Sequence, residues 1–318
     1  MSALPGLAAV IAVLFTWVSV GQAREELRIS QEGQITGRYT AAVTNLGSQS
    51  ADVRVGGIYA LERIMRDSPR DNAMGLSVLA AYMRAHGRLR AADVQRAEPA
   101  LASPPLEPLA VDLQAAMTVL ANRPVDDGDR TILQLRYVNL RGLADMGDLD
   151  LAQEDRTPGK TGGQGGAPSG VRANLSGVDL TGSDLSGAQL YKAAFLRALL
   201  PGADLRMAYL AGAVFTGAVL TGADLRDADL GGAKLAGANL RDADLSKAEA
   251  EQADFSGADL RGADLRGANL RNADLHGAYL IGAKLSGANL TGADLKDAHL
   301  EPEPEVTVES APGSLKRR

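Results

Sequence analysis

The 318-residue chain contains no cysteine, and only 4% of its residues are aromatic. The lack of cysteine excludes disulfide bonds and thiolate metal sites, and it leaves no redox marker of the compartment. The shortage of aromatic residues argues against a large aromatic-lined cofactor pocket. Histidine is also rare, since only His86, His276 and His299 occur, and these are scattered along the chain. We therefore expect neither a metal ion nor a cofactor.

A strong excess of one charge is missing as well. The net charge of the whole chain is −6, and residues 171–300 contain 13 Lys or Arg against 16 Asp or Glu. A basic surface that would attract nucleic acid is therefore not indicated. Direct binding of nucleic acid is not expected.

An internal repeat dominates the second half of the chain. From Leu175 to Leu300, the 26 positions whose numbers are divisible by five hold 22 Leu, three Phe and Ala250. Two places earlier, Ala occupies all 23 positions from Ala188 to Ala298. Asp or Asn often precedes the Leu, and Gly often follows two places after it. The repeating unit is A-(D/N)-L-x-G.

A period of five matches neither the α-helix nor the β-strand, so neither could place every Leu on one side. A chain that turns a corner at every unit could, and four successive units would then close one square coil. Stacked coils would share a narrow core of Leu and Ala. At a strand-like spacing of about 4.8 Å per coil, the stack would be about 31 Å long. Phe195, Phe215 and Phe255 are separated by whole numbers of such coils, so all three fall on one side as expected.

These units resemble those of the pentapeptide-repeat family, whose members fold into a right-handed quadrilateral β-helix. The resemblance implies a β solenoid over residues 131–300, since Val138–Gly142 also matches the unit and Leu140 precedes Leu175 by a whole number of units. A Gly-rich stretch at about 146–170 predicts an exposed loop. Residues 301–318 are expected to be a disordered tail that begins E-P-E-P-E. Its prolines cannot continue a strand ladder, and its charges protect an open edge.

Residues 1–23 are predicted to form a transmembrane anchor, because no charged residue occurs from Ser2 to Ala23 and the run is long enough to span a bilayer. Two alternatives stay open: a cleaved signal peptide, which lacks its usual basic start, and a helix buried in a soluble protein. Arg24, Arg28 and Arg38 follow the run. The positive-inside rule then predicts a single-pass protein of the cell membrane with its bulk in the cytoplasm.

Residues 24–130 are predicted to form a small α-helical region. Apolar residues at helical spacing indicate helices from Arg24 to Leu46, from Ala51 to Met65, from Asp71, as the capping residue, to Gly87, and from Leu109 to Asn122. Residues 31–82 also resemble the N-terminal region of membrane-anchored pentapeptide-repeat proteins of actinobacteria. That resemblance implies an architecture but no defined activity.

No constellation of residues in the sequence predicts catalysis. Outward positions of stacked coils form ladders rather than a cleft with convergent titratable groups. Gly159-Lys160-Thr161 resembles the end of a phosphate-binding loop, but Glu154 stands where that motif needs its first glycine. We therefore predict that the protein is not an enzyme.

One column of outward residues is a candidate site. It consists of five aspartates, one in every fourth unit, each directly before an inward Leu: Asp184, Asp204, Asp224, Asp244 and Asp264. The column would form an acidic stripe, which resembles the surface of pentapeptide-repeat proteins that mimic duplex DNA and inhibit DNA gyrase. The other interpretation is structural, because Asp caps its own backbone in turns and Arg206, Arg226 and Arg266 offset the charge.

The preferred functional interpretation is a non-enzymatic, membrane-anchored protein that serves as a protein-binding scaffold. Its expected partners are the membrane and an unknown protein. The alternative is a DNA-mimic inhibitor or protector of DNA gyrase, for which a membrane anchor would be an unusual setting.

Overall fold

A computed structural model describes residues 4–89, 108–123, 132–144 and 173–300 of the chain. An N-terminal group of helices precedes a β-helix. The helices are α1 (Leu4–Leu46), α2 (Ala51–Asp67), α3 (Asn72–His86) and α4 (Val111–Ala121), with a 3-10 turn at Pro69–Asp71. The β-helix contains strands β1 (Leu133–Gln134) and β2 (Val178–Asp179) and a series of single-residue bridges up to His299. The predicted loop at about 146–170 and the tail at 301–318 lie outside the described residues.

The helices that follow residue 50 agree closely with their predicted bounds. Helix α2 ends next to Ser68, where the sequence predicted a stop, and α3 ends directly before Gly87. The predicted cap is wrong in detail, because the side chain of Asp71 makes no capping hydrogen bond to α3. Its carboxylate instead accepts a hydrogen bond of 2.6 Å from the hydroxyl of Ser68.

The four helices share one apolar core. Ile58 of α2, Leu79 of α3 and Met117 of α4 are fully buried. Helix α2 packs tightly on α1 at Gly57, where a Cβ atom would lie only 2.8 Å from the carbonyl oxygen of Ala42. Glycine is therefore required for this approach of the two backbones.

A polar cluster crosses this core around the carboxylate of Asp112, which is only 3% exposed. Arg54 donates to it from Nε at 2.7 Å and contacts it through Nη2 at 2.6 Å. The hydroxyl of Tyr82 donates to the same carboxylate oxygen at 2.5 Å. Arg54 also donates to the carbonyls of Ser48 and Gln49, between α1 and α2. One buried carboxylate thus ties α2, α3, α4 and the first interhelical loop together.

The predicted transmembrane anchor and the membrane localisation derived from it are wrong. Within the part of the chain that the structure describes, no helix is long and apolar enough to cross a membrane. The apolar stretch is not a separate element, because α1 continues without a break from Leu4 through charged residues to Leu46. Most side chains of residues 1–23 lie outside the described part.

Residues 173–300 form the predicted four-sided coil. Parallel bridges join the residue that precedes each inward side chain to its equivalent four units later, as Asp204 is joined to Asp224, in a series that begins at Asn174 and ends at His299. The N–H of each inward Leu donates to a backbone carbonyl of the next coil, up to Leu280. Short ladders therefore run along every side of the coil, and the predicted quadrilateral arrangement is confirmed.

Both predicted inward positions line the core. Every residue at a multiple of five from Leu175 to Leu275 is at most 1% exposed. The Ala positions from Ala188 to Ala278 are buried to the same extent. Phe195 and Phe215 stack with their ring centroids 4.6 Å apart, as residues of one side in adjacent coils should.

Glycine recurs in the repeat because of the backbone conformation at its position. Two residues after each inward side chain, the backbone is left-handed, with φ between 54° and 74° over residues 173–300. Glycine adopts this conformation without steric cost. Other residues also adopt it, such as Met207 with φ of 55°. The corner is therefore imposed by stacking on adjacent coils, which outweighs a local cost of roughly 1 kcal/mol.

The β-helix begins with residues 132–144. Strand β1 pairs in parallel with β2, so that Leu133 lies opposite Val178. Leu140 is buried and donates its N–H to the carbonyl of Asp184 at 2.7 Å, so this segment is hydrogen-bonded to the coil that follows it. The partners here are further apart in the sequence than in any later pair of coils. The additional residues between these partners correspond to the stretch that contains the predicted loop.

Helix α4 closes the N-terminal end of the coil. The carbonyl of Ala121, its last residue, accepts the N–H of Asn174 at 2.8 Å and so extends a ladder. The guanidinium of Arg123 donates to the carbonyls of Asn174 at 3.2 Å and Ser176 at 2.7 Å. A single apolar core therefore runs from the helices into the coils.

Ala250 is the smallest residue among the inward positions at multiples of five. It lies between Leu230 and Leu270 on one side of the coil, and Phe255 follows it in the same coil. We predict that Ala250→Leu raises the free energy of unfolding by about 1 to 2 kcal/mol, because the added carbons fill a thin part of the core. Denaturant unfolding of the parent and of Ala250→Leu measures the difference in the free energy of unfolding.

A matched control is Ala248→Leu, which makes the same change at the neighbouring buried corner position. Ala248 has no exposed surface, so a larger side chain there is expected to overpack the core and destabilise the protein. A lower melting temperature for Ala250→Leu than for the parent would show that the ring of Phe255 already fills the space.

Candidate interaction surfaces

Where the outward residue before an inward Leu is Asp or Asn, its side chain stabilises the corner that follows. In most units an Asp or Asn oxygen accepts the N–H two residues later, as Asp229 does from Gly231 at 3.0 Å. Asp254 accepts from both the N–H of Ser256, at 2.9 Å, and its hydroxyl, at 2.6 Å. This arrangement is an Asx turn, and it explains why Asp and Asn recur at this position.

The candidate acidic stripe is one of these columns. Parallel bridges place its five aspartates side by side in adjacent coils: Asp184, Asp204, Asp224, Asp244 and Asp264. Each of the five carboxylates also accepts the backbone N–H two residues later. The sequence thus predicted the grouping, and every member has a local structural role as well.

Arginines interleave with these carboxylates. Arg206 lies 2.5 Å from Asp204 and 3.6 Å from Asp224 in the next coil. Arg226 repeats the arrangement, at 2.5 Å from Asp224 and 3.6 Å from Asp244. The column is therefore a ladder of alternating charges along much of its length.

The pKa values along the column reflect these contacts. The hydrogen bond from Arg266 holds the pKa of Asp264 below its ordinary value, and the charge of Lys284 acts in the same direction. Burial raises the pKa of Asp184, and the carboxylate of Asp204 adds to this effect, while hydrogen bonds from Ser186 oppose it. The five carboxylates are therefore not an equivalent row of unpaired negative charges.

Another part of the rod exposes large apolar side chains. Tyr191, Met207 and Tyr209 are 40%, 36% and 49% exposed, respectively, and we call these three residues the tyrosine patch. The N–H groups on either side of Tyr191 donate to the carbonyls of Tyr209 and Ala211 at 2.9 Å each. The two tyrosines therefore lie on one side of the rod in adjacent coils. The ammonium of Lys192 lies 5.0 Å from the centre of the Tyr191 ring.

The tyrosine patch adjoins the helical end of the rod. Gln189 precedes Tyr209 in the same column, and its N–H donates to the carbonyl of Leu143 at 2.8 Å. The next residue, Ala144, exchanges hydrogen bonds with the side chain of Gln114 in α4. Sequence reasoning missed this patch. The signal was nevertheless present, because Tyr209 replaces the usual Asp or Asn.

The histidines lie apart and have local partners. His86 stacks on Tyr82 with ring centroids 4.1 Å apart, and His299 stacks on Tyr279 at 4.5 Å. His276 lies 3.9 Å from a carboxylate. Within the described ranges of the chain, no group of three or more His, Asp or Glu side chains is placed to hold a metal ion.

The repeats match a known family. Segments 171–206, 198–237, 223–262 and 258–297 match the family model described as pentapeptide repeats in eight copies. HetL, a pentapeptide repeat protein involved in heterocyst differentiation regulation in the cyanobacterium Nostoc, is 32% identical over 40% of this chain and 82% of its own. The chain belongs to the pentapeptide-repeat family. Its superposition on HetL has a TM-score of 0.25.

Other solved pentapeptide-repeat proteins are similar over the same share of the chain. One from the thylakoid lumen of Arabidopsis thaliana is 33% identical over 38% of this chain and 68% of its own, with a TM-score of 0.22. QnrB1, a plasmid-mediated fluoroquinolone resistance protein, is 24% identical over 38% and 62%, with a TM-score of 0.30. No curated protein matches the chain.

Proposed function

We propose that this pentapeptide-repeat protein is a non-enzymatic scaffold that binds a protein partner through the tyrosine patch. The supporting observation is the exposure of Tyr191 and Tyr209 on one side of the rod, with the exposed Met207 two residues before Tyr209. Tyr and Met are enriched in the cores of protein interfaces, and Tyr offers a large contact area at a low cost in conformational entropy. The backbone is hydrogen-bonded to both adjacent coils, so the partner would meet a preorganised surface.

The acidic column is a weaker candidate for the partner site. A mimic of duplex DNA needs regularly spaced negative charges that stay unpaired. Arg206 and Arg226 each lie between two successive aspartates of the column and offset their charge. We therefore place the partner on the tyrosine side, and we do not propose the gyrase-directed alternative.

A photo-crosslinking amino acid placed at Tyr209 tests the proposal in cells. The matched control is Tyr279, which occupies the same position of its unit and is 39% exposed. We expect a protein adduct from position 209 and none from position 279. Adducts of equal yield from both positions, or an adduct from position 279 alone, would contradict the assignment.

Binding of the captured partner is then measured with purified variants. We expect Y191A combined with Y209A to weaken binding about tenfold or more, because buried tyrosines dominate such interfaces. Y279A should bind like the parent. Purified DNA gyrase serves as a second analyte, and we expect it not to bind. Gyrase binding that is lost in Asp224→Asn but kept in Y191A combined with Y209A would favour the DNA-mimic function instead.

A further inference from the structure

One side of the β-helix has only positively charged residues over three adjacent coils. Segments 191–197, 211–217 and 231–237 form this side with its two corners, and they contain no Asp or Glu. Their three exposed cations are called the cationic patch: Lys192, Arg197 and Lys234. In the described part of the chain, none of these cations forms an ion pair with a carboxylate, unlike Arg206 of the acidic column. The patch thus differs in charge from the whole chain, whose net charge is −6.

The centre of the cationic patch is apolar and closely packed. Parallel bridges align Ala194, Val214 and Lys234 in one column of adjacent coils. Ala194 and Val214 are only 1% and 9% exposed, although both occupy the outward position before an inward Phe. Lys234 therefore lies at one end of an apolar floor, and Lys192 and Arg197 lie at the corners on either side of it.

Both corner cations lean over the next coil. A Cβ atom on Gly212 would lie 3.1 Å from the Cγ atom of Lys192, and one on Gly217 would lie 3.8 Å from the Cγ atom of Arg197. The two side-chain stems therefore lie before and after Val214. Both cations have a left-handed backbone, with φ of 55° and 54°, where glycine would be less strained. Strained backbone positions of this kind cluster at functional sites.

The cationic patch adjoins the tyrosine patch, because Tyr191 and Lys192 are consecutive and the Lys192 ammonium lies 5.0 Å from the centre of the Tyr191 ring. We propose that the protein partner of the tyrosine patch lays an acidic segment across the cationic patch. Its carboxylates face Lys192 and Arg197, and an apolar side chain packs on Val214. This inference rests on the proposed function and adds the chemistry of the partner. Complementary charges favour the correct partner and accelerate association.

The acidic occupant is a short protein segment rather than nucleic acid or a membrane surface. Beyond Lys234, the same column continues with three carboxylates: Asp254, Asp274 and Asp294. These carboxylates would repel the extended negative surface of nucleic acid or of anionic lipid. The three coils of the cationic patch extend over about 10 Å, which suits a few residues of extended chain. A second copy of this chain is the competing occupant, because its own aspartates of this column could face the cations.

Photo-crosslinking in cells tests the acidic segment. The crosslinking amino acid replaces Thr216, which is exposed and whose carbonyl accepts the N–H of Arg197 at 3.3 Å. The matched control is His276, which is exposed at the same position of its unit on the same side, beside Asp274. We expect position 216 to capture the same protein as position 209, through a peptide rich in Asp or Glu. Position 276 should capture nothing.

The outcomes separate this inference from the proposed function. No adduct from position 216, equal adducts from positions 216 and 276, or an adduct through a peptide without acidic residues would overturn the acidic segment and leave the tyrosine patch in place. An adduct of twice the mass of the chain would overturn it in favour of a second copy. If position 216 captured an acidic segment and position 209 captured nothing, the cationic patch would stand and the tyrosine patch would be wrong.

Glycine substitution removes the corner cations without straining the coil. K192G combined with R197G is expected to weaken binding of the captured protein about fivefold or more at low ionic strength, with a smaller effect at high ionic strength. The melting temperature should not fall, because glycine suits both corners. The matched control is K247G, since Lys247 is an exposed corner residue with φ of 60° on another side. Equal affinity of the double variant and this control would overturn the proposal.

Discussion

Replacement of Leu230 by Asp is expected to lower the free energy of unfolding by about 3 to 5 kcal/mol. Leu230 has no exposed surface, and the core around it consists of Ala, Leu and Phe side chains. The ladders already use the backbone N–H groups of adjacent coils, so a buried carboxylate would find no donor. An unpaired charge in such a core is among the most destabilising single changes.

The matched control introduces the same residue at an outward position. Val219 is half-buried and precedes Leu220, where most units have Asp or Asn. An Asp here can accept the N–H of Thr221, so Val219→Asp should change the stability by less than about 1 kcal/mol. Denaturant unfolding followed by circular dichroism compares the two variants. If Leu230→Asp melted like the parent, the inward assignment would be wrong.

Asp112→Ala is expected to lower the free energy of unfolding by a similar amount, about 3 to 5 kcal/mol. The carboxylate of Asp112 is buried, and its removal leaves the guanidinium of Arg54 and the hydroxyl of Tyr82 without their common acceptor. Asp67→Ala is the matched control, because Asp67 is 48% exposed and lies 3.7 Å from Arg38. An exposed ion pair of this kind contributes at most about 1 kcal/mol.

The pH dependence of the Asp112 effect provides a second test. Burial alone would raise the pKa of Asp112, but hydrogen bonds from Tyr82 and Arg54 and the charge of Arg54 together hold it below the ordinary value of 3.8. Its contribution to stability is therefore present above that value and is lost as the pH falls through the folded-state pKa. The difference between the parent and Asp112→Ala should shrink in this acidic range. A difference that stays constant there would contradict the ionised cluster.

The same cluster affects Tyr82 at the other end of the pH scale. Burial, followed by the hydrogen bond and charge of Asp112, raises the pKa of Tyr82 to about 12. The phenol therefore stays a hydrogen-bond donor to Asp112 throughout the neutral range.

The candidate sites show how far a periodic pattern extends. The four-unit spacing placed Asp184 and the later aspartates in one column, because each coil repeats the geometry of the one before it. The same pattern did not show that Arg206 shares its charge between two coils, since rotamers of long side chains depend on their neighbours. It also did not single out Tyr191 and Tyr209. These two residues are 18 positions apart in the sequence, and only the stacking of adjacent coils brings them together on one side of the rod.

In the apolar N-terminal stretch, by contrast, the sequence pattern led to a wrong prediction. Its composition predicted a separate span, but α1 runs on from Leu4 to Leu46 as one helix. The change from apolar to charged residues along the sequence does not by itself end a helix. Only a helix breaker such as Gly47 ends it, and the sequence predicted that end correctly.

The sequence by itself determined the four-sided coil and the residues that face its core. It could do so because each coil packs only on its neighbours, and the contacts therefore recur at one fixed spacing. Only the tertiary structure decided how the N-terminal end is closed and how the helices are joined. The contacts of Ala121 with Asn174 and of Arg54 with Asp112 link residues that are far apart in the sequence. No period relates such residues, and their meeting depends on how whole elements pack.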